Sequence, residues 1–510
     1  MTKRSDNDSD SCPVPTLLHK KSKGEKHVSF PPDEEIVSGF AEHRDSGRDV
    51  DSLTLAEVIL AYKKSCERHQ VEPNPKIVEQ LELATCVKGT LRCLDLEGER
   101  LESSSCESLE ILLKSLHFDF INLRATKLEE NGASSLLDMI LYYEPTTHLD
   151  ISDNTSMGIS GWRALSHLIK QSGCLLRLDA CKVSMQGYPA QALAKALPSS
   201  RLAVLSLHGC YLSGRPLFTL VGALKTNRGL QELYLASNKL NSYQDSMQLG
   251  DLLRFNSTLR VLDLGDNTIA DAGLEEICEG LKMQTAGLRV LMLNSNMITY
   301  NGLVYLAKVL PVLKTLEILN LGENKLQNRG IHTLKEPLMM NQSLLHLALE
   351  QTHITCEGAV ALAEFIAESR QIQHLDLREN EVRAGGLMAL SLALRINSSV
   401  TTLQLDPKEE QGGDGSRHHA SALEGPIATG TRQTVLNLRD ASENSLLSLK
   451  LHCLASSTAS PAEEFLMETQ ERLLGEISDL CVANAGNAGI AAATDQRPTL
   501  QKPGPEEATT

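Results

Sequence analysis

The sequence predicts an α/β fold: a curved solenoid, or horseshoe, of about twelve stacked β–α units with helical caps and disordered tails. Three observations carry that expectation. An apolar pattern returns every 27 to 29 residues, at Leu91, Phe118, Thr146, Leu175, Leu202, Leu230, Leu259, Leu288, Leu316, Leu344, Ile372 and Val400, and a fixed period in this range marks a repeat array. Each copy opens on short alternating leucines, as in LQELYLASNKL from Leu230 and LRVLDLGDNTI from Leu259, and alternation is the period of a strand with one buried face. The stretches between have helical period, as in CEGAVALAEFIAES at 356–369, where Ala359, Leu362, Ala363 and Ile366 fall on one face.

In chain order, residues 1–49 are polar and read as a disordered tail. SLTLAEVILAYKKSCERHQ at 52–70 predicts an amphipathic helix opened by a Thr54–Glu57 capping box. NPKIVEQLELATCV at 74–87 predicts a second, with Pro75 in its first turn. Together they form an N-terminal cap over 50–90, because a solenoid must hide the core of its first unit. Residues 91–406 are the repeats. In the pattern L-x-x-L-x-L-x-x-N-x-L the leucines point inward, and the ninth-position Asn is expected to bond backbone groups that water cannot reach. Asn154, Asn238, Asn267, Asn296, Asn324 and Asn380 hold that place, with Cys210 and Thr352 standing in elsewhere. Such units resemble the ribonuclease-inhibitor type of leucine-rich repeat, which implies strands lining the inside of the arc and helices outside, with a second predicted helix at 271–282. Residues 407–459, opening PKEEQGGDGSRHH, read as a flexible insertion. SPAEEFLMETQERLLGEISDLC predicts a C-terminal capping helix over 460–482, with Phe465, Leu466, Leu473, Leu474, Ile477 and Leu480 on or near one face. The low-complexity residues 483–510 read as a disordered tail.

Composition narrows the function classes. A net charge of −16 over 510 residues argues against general nucleic-acid binding, which needs a basic stripe. No apolar run reaches the roughly 18 residues of a membrane span, and the polar N-terminus lacks a secretory h-region. The 12 cysteines are scattered without a C-x-x-C pair, which suits reduced thiols in the cytoplasm and/or nucleus. No phosphate-loop, zinc-protease or nucleophile-elbow motif occurs, so no enzyme activity, cofactor or metal is expected. His346 and His374 recur at the third position of adjacent units, but no carboxylate–histidine pattern joins them.

The concave face follows from the repeat positions. The fifth carries Asp95, Asp150, Asp179, Asp263 and Asp376, and the eighth Asp153, Asp266, Glu323 and Glu379. Between them stand Val204, Val261, Val290 and Ile318, beside Tyr234 and Met292. Two readings stay open: a solvated acidic face, or an apolar strip that receives a second protein.

One N-terminal stretch, GEKHVSFPPDEEIVSGF at 24–40, holds apolar anchors between a basic and an acidic side. Val28 and Phe30 are two apart and point the same way off an extended strand, with Lys26 upstream and the pair Ile36 and Val37 downstream. Such a segment suits strand addition to a partner's sheet edge. The string KHVSF has the Lys-x-Val-x-Phe form of the docking motif of protein phosphatase 1 regulators. Taken with LAEVILAYKKSC, LRCLDLEGERL, AVLSLHGCYLSGRPL and LDLRENEVRAGGLMALSLAL, the chain resembles the leucine-rich-repeat regulatory subunit 37 family of protein phosphatase 1. The resemblance runs from about Lys26 to Leu405 and resumes with FLMETQERLLGEI at 465–477. It implies a subunit that binds the phosphatase catalytic subunit and inhibits it, with Val28 and Phe30 as pocket anchors, Lys26 as basic flank, and Ile36 and Val37 as a second apolar pair. Ser29, between the anchors and downstream of Lys20, Lys21 and Lys23, is a candidate phosphosite. The chain departs from the family in its insertion at 407–459 and its short acidic tail. Two other readings stand beside it: a Ran GTPase-activating-like repeat protein that lends an arginine to a partner's nucleotide, and a repeat scaffold whose motif is accidental. Fold alone does not separate them.

Overall fold

A computed structural model describes residues 54–84, 90–284, 287–405 and 461–495. The N-terminal tail with its docking motif, and the insertion at 407–459, lie outside the described residues. Twelve strands form one sheet in sequence order, from β1 (Thr90–Asp95) to β12 (Thr402–Gln404). Every strand pairs in parallel with the next. The register is the one the repeat alignment predicts. Leu233, Leu262, Leu291, Leu319, Leu347 and Leu375 face one another across consecutive strands, and Leu262 and Leu319 are fully buried. The fold is a leucine-rich-repeat solenoid.

Helices connect the strands. The two predicted at 271–282 and 356–369 span Asp271–Leu281 and Cys356–Glu368, and in the second Ala359, Leu362, Ala363 and Ile366 are all buried. The helices Tyr243–Phe255 and Asp271–Leu281 touch where Gly250 meets Gly280; a Cβ on Gly280 would lie 2.2 Å from the Gly250 carbonyl oxygen, so only glycine permits this approach. The first repeat is less regular. Its helical segment is split at Leu109 into Ser103–Ser108 and Glu110–Ser115.

The ninth-position asparagines are buried and bond as expected. Asn267 Nδ2 donates to the carbonyls of Leu235 (2.9 Å) and Gly265 (3.0 Å). Its Oδ1 accepts from the backbone N–H groups of Asn238 (2.8 Å) and Leu240 (3.3 Å). Asn296 treats Asn267 in the same way, its Oδ1 accepting from the Asn267 amide at 3.2 Å. The preceding residue is left-handed in unit after unit, including Asp153, Ser237, Asp266, Ser295, Glu323 and Glu379, with φ between 52° and 59° for all but Asp266, at 51°. The eighth-position acids thus sit in the turn that leaves the strand, at the rim of the concave face.

A second amide ladder runs where the helices end. Asn256 Nδ2 donates to the Leu224 and Asn227 carbonyls, Asn341 to Leu310 and Leu313, and Asn397 to Ile366 and Ser369. The caps imitate these ladders. At the N-terminal end, Thr54 and Glu57 form the capping box of helix Leu55–His69, and Asn74 caps Pro75–Leu83. Gln80 in the second helix both donates to the Asp95 carbonyl (2.7 Å) and accepts from its N–H (2.8 Å), occupying the outer edge of β1. At the far end the helix Pro461–Asp495 buries Leu473, Ile477 and Cys481. Its Asn484 donates to the carbonyls of Asn397 (3.1 Å) and Val400 (2.9 Å), as another repeat would. This helix runs on to Asp495, past the boundary at 482, and residues 483–495 are therefore helix rather than part of the expected tail. Five free cysteines among the described residues are buried: Cys66, Cys106, Cys210, Cys278 and Cys481. Burial pushes the Cys106, Cys210 and Cys278 thiols up to about 12, the behaviour of inert core residues.

Replacing Leu262 or Leu319 by Ala should cost about 2–5 kcal/mol, because each leaves a cavity in a core that cannot collapse. Asn267→Ala should cost more than about 1 kcal/mol by orphaning backbone groups in two units. Urea unfolding of each variant is the check, and unchanged midpoints for the leucine variants would mean that the register is wrong.

Candidate functional site

The six residues of the docking segment, Lys26, Val28, Ser29, Phe30, Ile36 and Val37, lie outside the described residues. The concave face is described in full across its strands. Its third-position row runs Val204, Glu232, Val261, Val290, Ile318, His346, His374, and its fifth-position row Ser206, Tyr234, Asp263, Met292, Asn320, Ala348, Asp376. The expected apolar strip is narrower than the repeat pattern implies. Val261 and Val290 are only 6% and 5% exposed, covered by neighbours on the curved sheet, and Glu232 separates them from Val204. Val204, Tyr234, Met292 and Ile318 remain half-buried surface. Tyr234 is further tied by its hydroxyl, which donates to Glu232 at 2.9 Å.

The acids of the strands are likewise committed to internal partners. Asp179 accepts from Arg177 Nε (3.0 Å) and lies 2.6 Å from His148 Nε2, whose ring stacks on Phe120 with centroids 4.1 Å apart. Burial pushes the Asp179 carboxyl up, but the His148 hydrogen bond and the Arg177 guanidinium outweigh it and hold it below the usual carboxylate value. Asp150 accepts from the Ser152 N–H (2.7 Å) and Asp263 from the Gly265 N–H (2.9 Å), yet burial wins at both and raises their pKa. Among the eighth-position acids, Asp153 accepts from Arg124 (2.9 Å), Asp266 from Ser237 (2.7 Å) and Glu323 from Ser295 (2.9 Å). The face is therefore a set of short polar networks flanking a small apolar centre, not a free acidic sheet. Phe120, His148 and Arg177 were visible in the sequence only as third-position residues, the same place as the valines.

Toward the C-terminal end, the His346 and His374 rings stack face to face at 4.0 Å. Among the described residues no group of three His, Cys, Asp or Glu side chains is placed to hold a metal ion. Burial, then the neighbouring His346, lowers the His374 pKa to about 4, and its Nδ1 is buried without a partner. Beside them Arg378 bridges Asp376 (2.6 Å) and Glu350 (2.5 Å). Burial and then Asp376 raise the Glu350 carboxyl to about 7. No described helix is long and apolar enough to cross a membrane.

Comparison with known proteins agrees with this architecture. A family model described as "Leucine Rich repeat" matches residues 255–278, 341–363 and 368–391. The chain is 50% identical over 293 residues to "Protein phosphatase 1 regulatory subunit 37" of Bos taurus, covering 57% of this chain and 42% of that protein. The Homo sapiens protein of the same name is also 50% identical over 293 residues, with the same shares of 57% and 42%. A Caenorhabditis elegans "Protein phosphatase 1 regulatory subunit 37 homolog" is 34% identical over 299 residues, covering 56% of this chain and 31% of that protein. The resemblance read in the sequence is thus found again, while the chain spans less than half the length of these relatives.

The buried histidine has a consequence for pH. His374 folds as the neutral ring, so its contribution is present above the ordinary imidazole value of 6.5 and is lost as pH falls through about 4. Glu350, with a raised pKa, works in the opposite direction over an overlapping range, so only a difference between variants isolates the histidine. The melting temperature of His374→Gln should fall less than that of the wild-type chain when pH is lowered from 6.5 to 4. Parallel thermal melts would show instead that the ring is not held neutral.

Proposed function

We propose that this chain is a non-catalytic regulatory subunit that binds the protein phosphatase 1 catalytic subunit through Lys26, Val28 and Phe30 and inhibits or redirects it, with the repeat arc presenting a second protein-binding surface. The observation that carries the reading is the coincidence of two independent ones: a Lys-x-Val-x-Phe string upstream of the repeats, and relatives named as phosphatase regulatory subunits at 50% identity. The chemistry is that of strand addition. Main-chain bonds to a sheet edge supply affinity, and the two side chains on one face fill apolar pockets and set the register. Lys26 answers an acidic rim, and Ile36 and Val37, downstream of Pro31 and Pro32 in the sequence, add a second apolar contact. The half-buried Val204, Tyr234, Met292 and Ile318 suit the arc to a partner with a small apolar protrusion rather than a broad flat one.

Val28→Ala/Phe30→Ala should weaken binding to the catalytic subunit by about 2–5 kcal/mol, the size of a hot-spot loss. A pull-down with both chains tests it, and wild-type retention by the double variant would remove the proposal. Ser29 points away from the two pockets but adds close to two negative charges when phosphorylated, beside a rim that receives Lys26. A phospho-Ser29 peptide of residues 20–40 should bind about tenfold more weakly than the unmodified one, about 1.4 kcal/mol, by calorimetry; equal affinities would make Ser29 a bystander.

A further inference from the structure

We propose that the solenoid edge around Arg228 and Arg260, where the chain enters the strands from the helices, is a docking surface for an acidic segment of a partner protein. Its residues are other than those of the concave apolar centre. The repeat stacks its charges. The Arg260 N–H donates to the Gln231 carbonyl (2.7 Å) and the Arg289 N–H to the Arg260 carbonyl (2.7 Å), so these three residues occupy the same place on adjoining units, about 4.8 Å apart across a sheet. Arg289 has an acid one strand further on, Glu317 at 3.6 Å. Arg228 and Arg260 are exposed and have no carboxylate at ion-pair distance among the described residues. In a chain with 65 acids and 49 bases, neighbouring guanidinium groups without an acid are a departure that invites one from outside.

The two arginines share a recess of about 370 Å³ with Gln231, Ser257, Thr258 and Gly287. Thr258 Oγ is spent on the Leu230 carbonyl at 3.1 Å. A Cβ on Gly287 would lie 2.9 Å from the Ser257 carbonyl oxygen, so the wall there is bare backbone. The exposed Gln231 and Ser257 side chains border it, and neighbouring residues 285 and 286 lie outside the described residues. A carboxylate fits this chemistry: the planar guanidinium fork donates to its two oxygens in a bidentate manner. Next to the recess stands Phe255, 57% exposed, with Lys225 and Arg254 each 5.5 Å from its ring centre. Met283, two residues past the helix Asp271–Leu281, and Val312, at the end of the short helical turn Leu310–Val312, are also exposed. A basic recess beside an apolar row matches an extended peptide in which acids and apolar residues are interleaved. A phosphate backbone is disfavoured, since single strands need several stacking rings and a cationic groove, and the chain as a whole is strongly acidic.

The test uses the full chain and a labelled dodecapeptide of interleaved Glu and Leu, read by fluorescence anisotropy. Its Lys-for-Glu counterpart and a single-stranded oligonucleotide serve as alternative probes. The acidic peptide should bind the wild-type chain in a salt-dependent manner, and Arg228→Glu/Arg260→Glu should weaken it about tenfold or more. Arg163→Glu, a reversal at an exposed helix position far along the chain, should leave binding unchanged. Circular dichroism melts of the double variant, whose changed side chains are exposed, should match the wild type. Absent or unaltered binding, an equal loss in Arg163→Glu, or tighter binding of the oligonucleotide that the double variant abolishes would each overturn the proposal.

Discussion

A buried side-chain amide that belongs to two units at once is the contact on which the rest of this solenoid depends. Asn267 closes its own turn through Gly265 and at the same time holds Leu235, Asn238 and Leu240 of the unit before. Remove the preceding unit and the amide keeps only Gly265 of these four partners, at a cost of about 1–3 kcal/mol per orphaned group. No unit is therefore a folding unit by itself, and stability accumulates between neighbours rather than within them. The same logic decides the ends. Gln80 and Asn484 come from elements that are not repeats, yet each supplies a side-chain amide where the absent neighbour would have done so.

A constant register has a second effect, on the surface. Because the strands pair without slippage, the third and fifth positions line up as rows, and each side chain is flanked by residues a full repeat away. Charge on such a surface is settled across units. Asp179 is held by Arg177 on its own strand and by a hydrogen bond with His148 on the previous one; Glu350 shares Arg378 with Asp376 of the next. An acidic residue in the sequence thus says little about acidic potential on the face. By the same reasoning two arginines that share a recess and find no such partner among the described residues, Arg228 and Arg260, are the more informative feature.

The strand register, the ninth-position ladder and the capping box at Thr54 were legible because each is written within a single unit's local pattern. What was not legible joins residues about one repeat apart. The second ladder had a visible trace in the recurring TNRGL, FNSTL, MNQSL and INSSV strings, but its meaning lies in carbonyls 28 to 32 residues upstream. Val261 and Val290 share their position and chemistry with the half-buried Val204 and Ile318; only the packing of neighbouring rows buries them. The helix beyond 482 runs through NAGNAGIAAA, where alanine supports helix but glycine and asparagine mask the amphipathic signal.

The closed edges also bear on how the chain can bind. A segment that docks by strand addition needs an unpaired strand edge, and a parallel sheet ordinarily offers two. Here Gln80 takes the N–H and carbonyl of Asp95 at the outer edge of β1, and the helix Pro461–Asp495 packs against β12 with Asn484 seated on the Val400 carbonyl. At each end of the solenoid, groups that an incoming strand could use are thus already partnered. Under the proposed function a Lys-x-Val-x-Phe segment takes its sheet edge from the partner. The array would then act through side chains on its faces and rims and the tail through strand addition, two contacts of different chemistry.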